Sequence, residues 1–282
     1  MPDSPRVIAG VLGGGPGEAG KAGVVGGAEL GPLLFVVGAF DGLHRGHIYL
    51  LAQLRAAAAR HHARPGVITF DHHPDEILVG AAPPVLCDPA ERLVRFGRAG
   101  VDVVVVQHFD AAVRMTSYQD FVAAIGRRVE LAGFLMTPDA AFGHERHGTP
   151  AALADLGGSA GFVVEVVAPL EIDGRPVRST EIRSAIASGD LQGARRLLGR
   201  SVAVVGRLAS GRVGFELPVA LPPAGRYRVE VEPAWASGRA RTDPPVRGIG
   251  TVDADGRLSL DGRGRTALPA ADRIRIRFVG PA

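Results

Sequence analysis

Two short runs constrain this chain most: Leu33-Leu34-Phe35-Val36-Val37-Gly38 and Val101-Asp102-Val103-Val104-Val105-Val106. Neither alternates polar with apolar residues along its length, so each reads as a strand buried on both faces. Such strands belong to parallel sheets with helices on either side. Val67 to Phe70, Phe134 to Met136 and Phe162 to Val167 are shorter runs of the same kind. Helical spacing fills the gaps between them. Leu50, Leu51, Leu54 and Ala58 recur within Ile48 to His61, and Asp88 caps a helix over Pro89 to Arg98. Thr116 is expected to cap a further helix carrying Phe121, Val122 and Ile125. Strands alternating with helices give an α/β fold with a parallel sheet of five strands.

The pattern changes after two more helical stretches, Ser179 to Ala187 and Leu191 to Leu198. From Ser201 onward, short strand-like runs are divided by Gly, Pro and Asp: Val202 to Leu208, Tyr227 to Val231, Arg247 to Val252 and Ile274 to Val279. Arg273-Ile274-Arg275-Ile276-Arg277-Phe278 alternates strictly, the mark of a half-buried strand. We therefore expect two domains, 1–200 and 201–282, the second all-β.

Composition excludes several classes. The formal net charge of +3 is too small to argue for a nucleic-acid partner. Lys21 is the only lysine, a bias toward Arg, Ala and Gly rather than a phosphate signal. Cys87 stands alone, so no intramolecular disulfide can form. No segment reaches the roughly 18 apolar residues of a membrane span, and no leader is evident. A cytoplasmic location is expected, and no feature bears on oligomeric state. Residues 9–31 are mostly Gly and Ala, too small to serve as a core element, as linker or strand-edge packing.

The chemistry concentrates in Gly38-Ala39-Phe40-Asp41-Gly42-Leu43-His44-Arg45-Gly46-His47, between the first strand and the first helix. Ligands of parallel sheets bind beyond the carboxyl ends of strands, where helix N-termini present free N–H groups. There, His44 and His47 can donate hydrogen bonds to phosphate oxygens, and Gly46 lets phosphates approach the backbone. A zinc centre would need Cys or acidic partners that this loop lacks, so no metal ligands are expected. A second motif, Arg178-Ser179-Thr180-Glu181-Ile182-Arg183, opens a helix. The hydroxyl of Ser179 or Thr180 either caps that helix or turns to a phosphate. Arg183, one turn in, has the reach for bidentate phosphate contact. On its own this would be an ordinary capped helix with a surface Arg; beside the paired histidines it reads as a phosphate site. The third motif, Thr69-Phe70-Asp71-His72-His73-Pro74, is either a substrate-lining loop or a plain strand exit.

These motifs, in this order, resemble the bacterial bifunctional riboflavin kinase/FAD synthetase family, specifically its FMN adenylyltransferase module. The resemblance also takes in Gly100-Val101-Asp102, Phe142-Gly143, Ile172-Asp173-Gly174, Gly189-Asp190 with Ala194, and Leu197-Leu198-Gly199-Arg200. It implies a Rossmann-like nucleotidyltransferase domain followed by a small β-barrel, and transfer of AMP from ATP to FMN with Mg²⁺, giving FAD and pyrophosphate. Under it, His44, His47 and Arg183 are catalytic, and Gly38, Phe40, Asp41, Gly46, Ser179 and Thr180 bind the nucleotide. Asp41 either touches the nucleotide or shapes the loop by capping backbone N–H groups. Phe70, His73, Pro74, Asp139 and Phe142 bind the acceptor.

The chain departs from the family pattern on the acceptor side. His72 stands where the family has the first Pro of Pro-His-Pro, and Thr137 and Ala140 replace a Gly and an aromatic. A different phosphorylated acceptor, or a modified flavin, is therefore open, as is a protein that binds flavin or nucleotide without turnover. In the second domain, Gly214-Phe215-Glu216-Leu217-Pro218-Val219-Ala220-Leu221 lies where the family has Pro-Thr-Ala-Asn. The usual C-terminal helices are missing before Ala282. A truncated barrel without riboflavin kinase activity is the expectation.

Overall fold

The computed structural model describes residues 5–12, 30–234, 244–261 and 273–282. These fall into two compact units that interleave along the chain: residues 1–40, 48–83 and 95–170, and residues 41–47, 84–94 and 171–282.

The first unit is built on six strands: β1 (Arg6–Ala9), β2 (Leu33–Val37), β3 (Arg64–Phe70), β4 (Val103–Gln107), β5 (Leu131–Met136) and β6 (Val163–Val166). Their order is β1-β4-β3-β2-β5-β6, every pair parallel. The expected sheet of five strands thus gains a sixth. Four residues with one half-buried side chain carry no strand signal of their own. Arg6–Ala9 becomes a strand through its ladder to Val103–Val106. Helices α1 (Arg45–Arg60), α2 (Pro74–Leu78), α3 (Pro89–Arg98), α4 (Ala111–Met115), α5 (Tyr118–Gly126) and α6 (Pro150–Ala160) follow the strands.

One face of the sheet holds Leu33, Phe35, Ile68, Val103, Val105, Phe134 and Met136, packed with Phe121, Ile125 and Leu153. Phe35 lies opposite Gly66 on β3, where a Cβ would stand 2.5 Å from the phenyl ring. Only glycine gives Phe35 its room. Two expectations are corrected here. Helix α5 is capped by Ser117, whose hydroxyl accepts the Asp120 N–H at 3.0 Å, and not by Thr116, whose hydroxyl donates back to Ala112 O. And residues 9–31 do contribute to the core: Val11 and Leu30 are buried in it, while residues 13–29 lie outside the described residues.

The second unit holds the hairpin β7 (Glu171–Ile172) and β8 (Arg175–Pro176), then α7 (Ser179–Ala187) and α8 (Leu191–Leu198). Six antiparallel strands close into a barrel: β9 (Ala203–Ala209), β10 (Arg212–Gly214), β11 (Gly225–Pro233), β12 (Val246–Val252), β13 (Leu258–Asp261) and β14 (Ile274–Pro281), in the order β10-β13-β12-β11-β14-β9. Closure removes the exposed strand edges that an open β-sheet of this size would leave. Strand β14 buries Ile274, Ile276 and Phe278, as its alternation predicts. Arg275 breaks the rule, for it too is buried. Its Nε donates to Glu91 at 3.1 Å and its Nη1 to Glu232 at 3.0 Å, and both carboxylates are themselves nearly buried.

Among the described residues, no helix is long and apolar enough to cross a membrane.

Removing the cation from a buried ion triad leaves two carboxylates facing each other without compensation. Arg275→Met should therefore cost roughly 3–5 kcal/mol in urea unfolding at neutral pH. The deficit should shrink as pH falls and the glutamates take up protons.

Candidate functional site

Strand order reverses at β2, which has β3 on one side and β5 on the other. The loop leaving β2 at such a point is where open parallel sheets bind ligands. Here that loop begins in the first unit with Gly38 and Phe40. Gly38 donates its N–H to Ile68 O, and Phe40 adopts a left-handed φ of 53°. The Phe40 ring is buried edge-on against Phe96 at 5.4 Å at the exit of the strand.

The second unit carries the rest of the loop. Gly42 and Leu43 both have positive φ, 83° and 37°, which turn the chain sharply. Such conformations cost of order 1–3 kcal/mol at a non-glycine position and persist only where neighbours enforce them. Two arginines do so. Arg200 donates from Nη2 to Gly42 O at 2.5 Å and from Nη1 to Leu43 O at 3.3 Å. Arg183 donates from Nη2 to Asp41 Oδ2 at 2.6 Å and from Nε to Pro84 O at 2.8 Å. Asp41 is buried, and its carboxylate also accepts the Leu86 N–H at 2.9 and 3.1 Å.

Helix α1 starts at Arg45, three residues earlier than the apolar spacing predicts, so His47 lies in its first turn. The reason is a cap: His44 Nδ1 accepts the His47 backbone N–H at 3.3 Å, the geometry an N-cap side chain makes with the third helical residue. A nitrogen that accepts cannot carry a proton, so the His44 proton must sit on Nε2. The two rings stack at 3.6 Å and 18°. Burial, then the charges of Arg200 and Arg183, lowers the His44 pKa to about 4. Burial, with His44, Arg200 and Arg92, pushes His47 down as well. Both imidazoles are neutral at physiological pH. Gly46 fits because a Cβ there would stand 3.2 Å from the His44 ring and from Val177 O.

At the start of α7, Ser179 donates its hydroxyl to Asp41 O at 3.0 Å, and Thr180 is exposed. The cap position is Arg178, which makes no side-chain capping bond. The structure thus brings Asp41, His44, Gly46, His47, Ser179 and Arg183 together. Two of the Arg183 guanidinium nitrogens are committed to Asp41 and Pro84, contacts that brace the loop.

In the first unit, Phe70 packs edge-on against Phe109 at 5.2 Å. His73 caps α2 through its Nδ1, which accepts the Asp75 N–H at 3.2 Å, and Pro74 opens that helix. Asp139 accepts the Thr137 hydroxyl at 2.8 Å. Phe142 is partly buried and packs against the core, its ring 5.5 Å from Phe121 and 5.4 Å from Phe134.

Sequence reasoning missed Arg200 as a member of the site. Its signal is the preceding Gly199, whose φ of 73° ends α8 in the left-handed conformation and turns the chain toward the loop.

A parallel sheet reversing at β2 with paired imidazoles opening the next helix, and a closed antiparallel barrel as a separate element, make up a Rossmann-like nucleotidyltransferase fold with an appended β-domain. A profile of FAD synthetase matches residues 28–181, more than half the chain, and the protein belongs to the FAD synthetase family. It is accordingly an ATP-dependent nucleotidyltransferase enzyme. The bifunctional riboflavin kinase/FMN adenylyltransferase of Pseudomonas fluorescens is 33% identical over 242 residues, covering 80% of this chain and 76% of its own. The Escherichia coli K12 protein of the same name is 29% identical over 234 residues, covering 77% and 75%. A solved structure described as a macrolide-efflux protein from Streptococcus pneumoniae superimposes with a TM-score of 0.72 at 21% identity. It covers 99% of this chain and all of its own, and it speaks to the fold alone.

The lowered His44 pKa has a stability consequence. An unfolded histidine takes its proton near pH 6.5, whereas folded His44 resists until about 4. Between those values the unfolded state binds more protons, so stability falls as pH drops through the window. His44→Asn retains a capping group without the titration. Relative to it, the wild type should lose up to about 3 kcal/mol on going from pH ~7 to pH ~4, read from urea unfolding at each pH.

Proposed function

We propose that the protein transfers AMP from ATP to FMN, forming FAD and pyrophosphate, and has no riboflavin kinase activity. The observation that carries this reading is the stacked, neutral His44–His47 pair, with His44 Nδ1 committed to the helix cap. That commitment leaves the Nε2–H of His44 as a fixed donor at the N-terminus of α1. Backbone N–H groups and the helix dipole already favour phosphate there.

In the proposed reaction an FMN phosphate oxygen attacks the α-phosphorus of ATP in line. The bond to the bridging oxygen breaks, and pyrophosphate leaves with that electron pair. No covalent enzyme intermediate is required, so the protein contributes position and charge stabilisation. His44 and His47 donate to the triphosphate oxygens as negative charge moves onto the leaving group. The N-terminus of α7, with Thr180, receives the β and γ phosphates. Arg183 and Asp41 position this machinery, and Arg200 holds the turn. Mg²⁺ would neutralise phosphate charge when bound with ATP. Asp41 is a poor ligand for it, since its oxygens already serve Arg183 and Leu86. The ion is therefore proposed to be carried on phosphate and water oxygens. A cytoplasmic setting goes with these substrates.

The barrel supports the absence of kinase activity. Besides lacking Thr and Asn, the stretch from Gly214 to Leu221 uses its backbone elsewhere. Val85 N–H donates to Pro218 O at 2.8 Å, and Ala220 N–H donates to Val85 O at 3.1 Å. A second reading keeps ATP and changes the acceptor. It is favoured by the packing of Phe142 against the core and by His72 in the strand-exit motif.

The test is product formation by the full chain with ATP and Mg²⁺, offered FMN or riboflavin. FAD from FMN, and no FMN from riboflavin, is the expected result. FMN made from riboflavin would overturn the kinase half. Pyrophosphate release with another phosphorylated acceptor but not with FMN would favour the second reading. His47→Ala should lower kcat/KM by roughly 10²-fold or more, the scale seen when one charge-stabilising donor is lost.

A further inference from the structure

At the carboxyl ends of β3 and β4, in the first unit, three residues outside the phosphate machinery converge: Asp71, His72 and His108. Each offers one ligand atom, and these atoms all lie within 4.8 Å of one another. Asp71 Oδ2 is 2.6 Å from His108 Nδ1 and 4.0 Å from His72 Nε2.

Surface carboxylates often sit beside histidines, and such pairs contribute little. Two features set this group apart. The first is that the Asp71 carboxylate is oriented before any ligand arrives. Its Oδ1 accepts the backbone N–H groups of His72 at 2.7 Å and Phe109 at 3.2 Å, which leaves Oδ2 facing the imidazoles. The second is the other side of His72. Its Nδ1 lies 3.3 Å from Glu76 Oε2, while its Nε2 faces Asp71. A carboxylate on the far ring nitrogen is the arrangement that orients a metal-binding histidine and raises its basicity.

We propose that Asp71, His72 and His108 bind a divalent transition-metal ion of the zinc class, with Glu76 orienting His72. Two imidazoles and one carboxylate suit zinc and its neighbours better than magnesium or calcium, which prefer all-oxygen shells. Three protein ligands leave a fourth position for water. Bonds of about 2.0–2.2 Å require the ligand atoms to draw together by an ångström or so, which side chains one-third to one-half exposed can do by small torsions. On binding, the proton shared between Asp71 and His108 passes to solvent. The ion then ties the loop after β3, which carries His73 and Pro74, to the end of β4. This inference does not depend on the identity of the acceptor.

The experiment is calorimetric titration of the chelator-treated full chain with Zn²⁺ alone, in two buffers of different ionisation enthalpy. One equivalent should bind in the micromolar range or tighter, with a proton released and no displacement by excess Mg²⁺. His108→Ala and Asp71→Asn should each weaken binding by at least about tenfold, and Glu76→Gln should weaken it within the 10–100-fold span of orienting partners. His147→Ala, at the separate His147–Glu145 pair, should leave it unchanged. None of the four substituted side chains is buried, and circular dichroism would verify that each variant folds. Absence of Zn²⁺ binding by the wild type, or equal binding by the His108→Ala and Asp71→Asn variants, would overturn the proposal.

Discussion

The buried carboxylate of Asp41 is the interaction on which the phosphate loop depends. Taking a carboxylate out of water costs several kcal/mol unless its oxygens are fully used. Here Arg183 and the Leu86 N–H use them, and the Asp41 carbonyl in turn accepts from Ser179. One residue thus draws three distant pieces of chain to a common point: the loop at 41–47, the segment at 84–86 and the start of α7. The positive φ at Gly42 and Leu43 is tolerable because both carbonyls there are held by Arg200. The Arg183 charge is consequently balanced by Asp41 within the loop itself.

The sheet was legible because β2 is wholly apolar and β4 is apolar up to its last residue, Gln107, as strands covered on both faces read. The main barrel strands were legible from alternation and turn residues. The short barrel strands Arg212–Gly214 and Leu258–Asp261 were not, since three or four residues carry little periodicity. Strand β1 was invisible for the same reason and exists by virtue of its neighbour. Arg275 shows the limit of a period-two rule, because alternation says which way a side chain points and not what stands there to meet it. Glu91, 184 positions away, turns an outward arginine into a buried one.

The site was legible in its members and less so in their roles. His44 and His47 announce themselves by spacing and by following a buried strand. That His44 is also the helix cap follows from a 3.3 Å contact that spacing alone does not reveal. Arg183 pairs with Asp41, 142 positions away, a contact that only the folded chain makes. The contacts of Phe142 with Phe121 and Phe134 are likewise made only by the folded chain. The same holds for Asp71 and His108, which the adjacency of β3 and β4 unites and no local motif suggests.

The neutrality of the stacked imidazoles also sets an acid limit on the helix they open. His44 caps α1 only through an unprotonated Nδ1. Burial and the charges of Arg200 and Arg183 keep the proton off that nitrogen. Once it arrives, the ring offers a donor where the helix needs an acceptor, and a cation lies against the second imidazole. The first turn of α1 is held by a base, and acid is what undoes it.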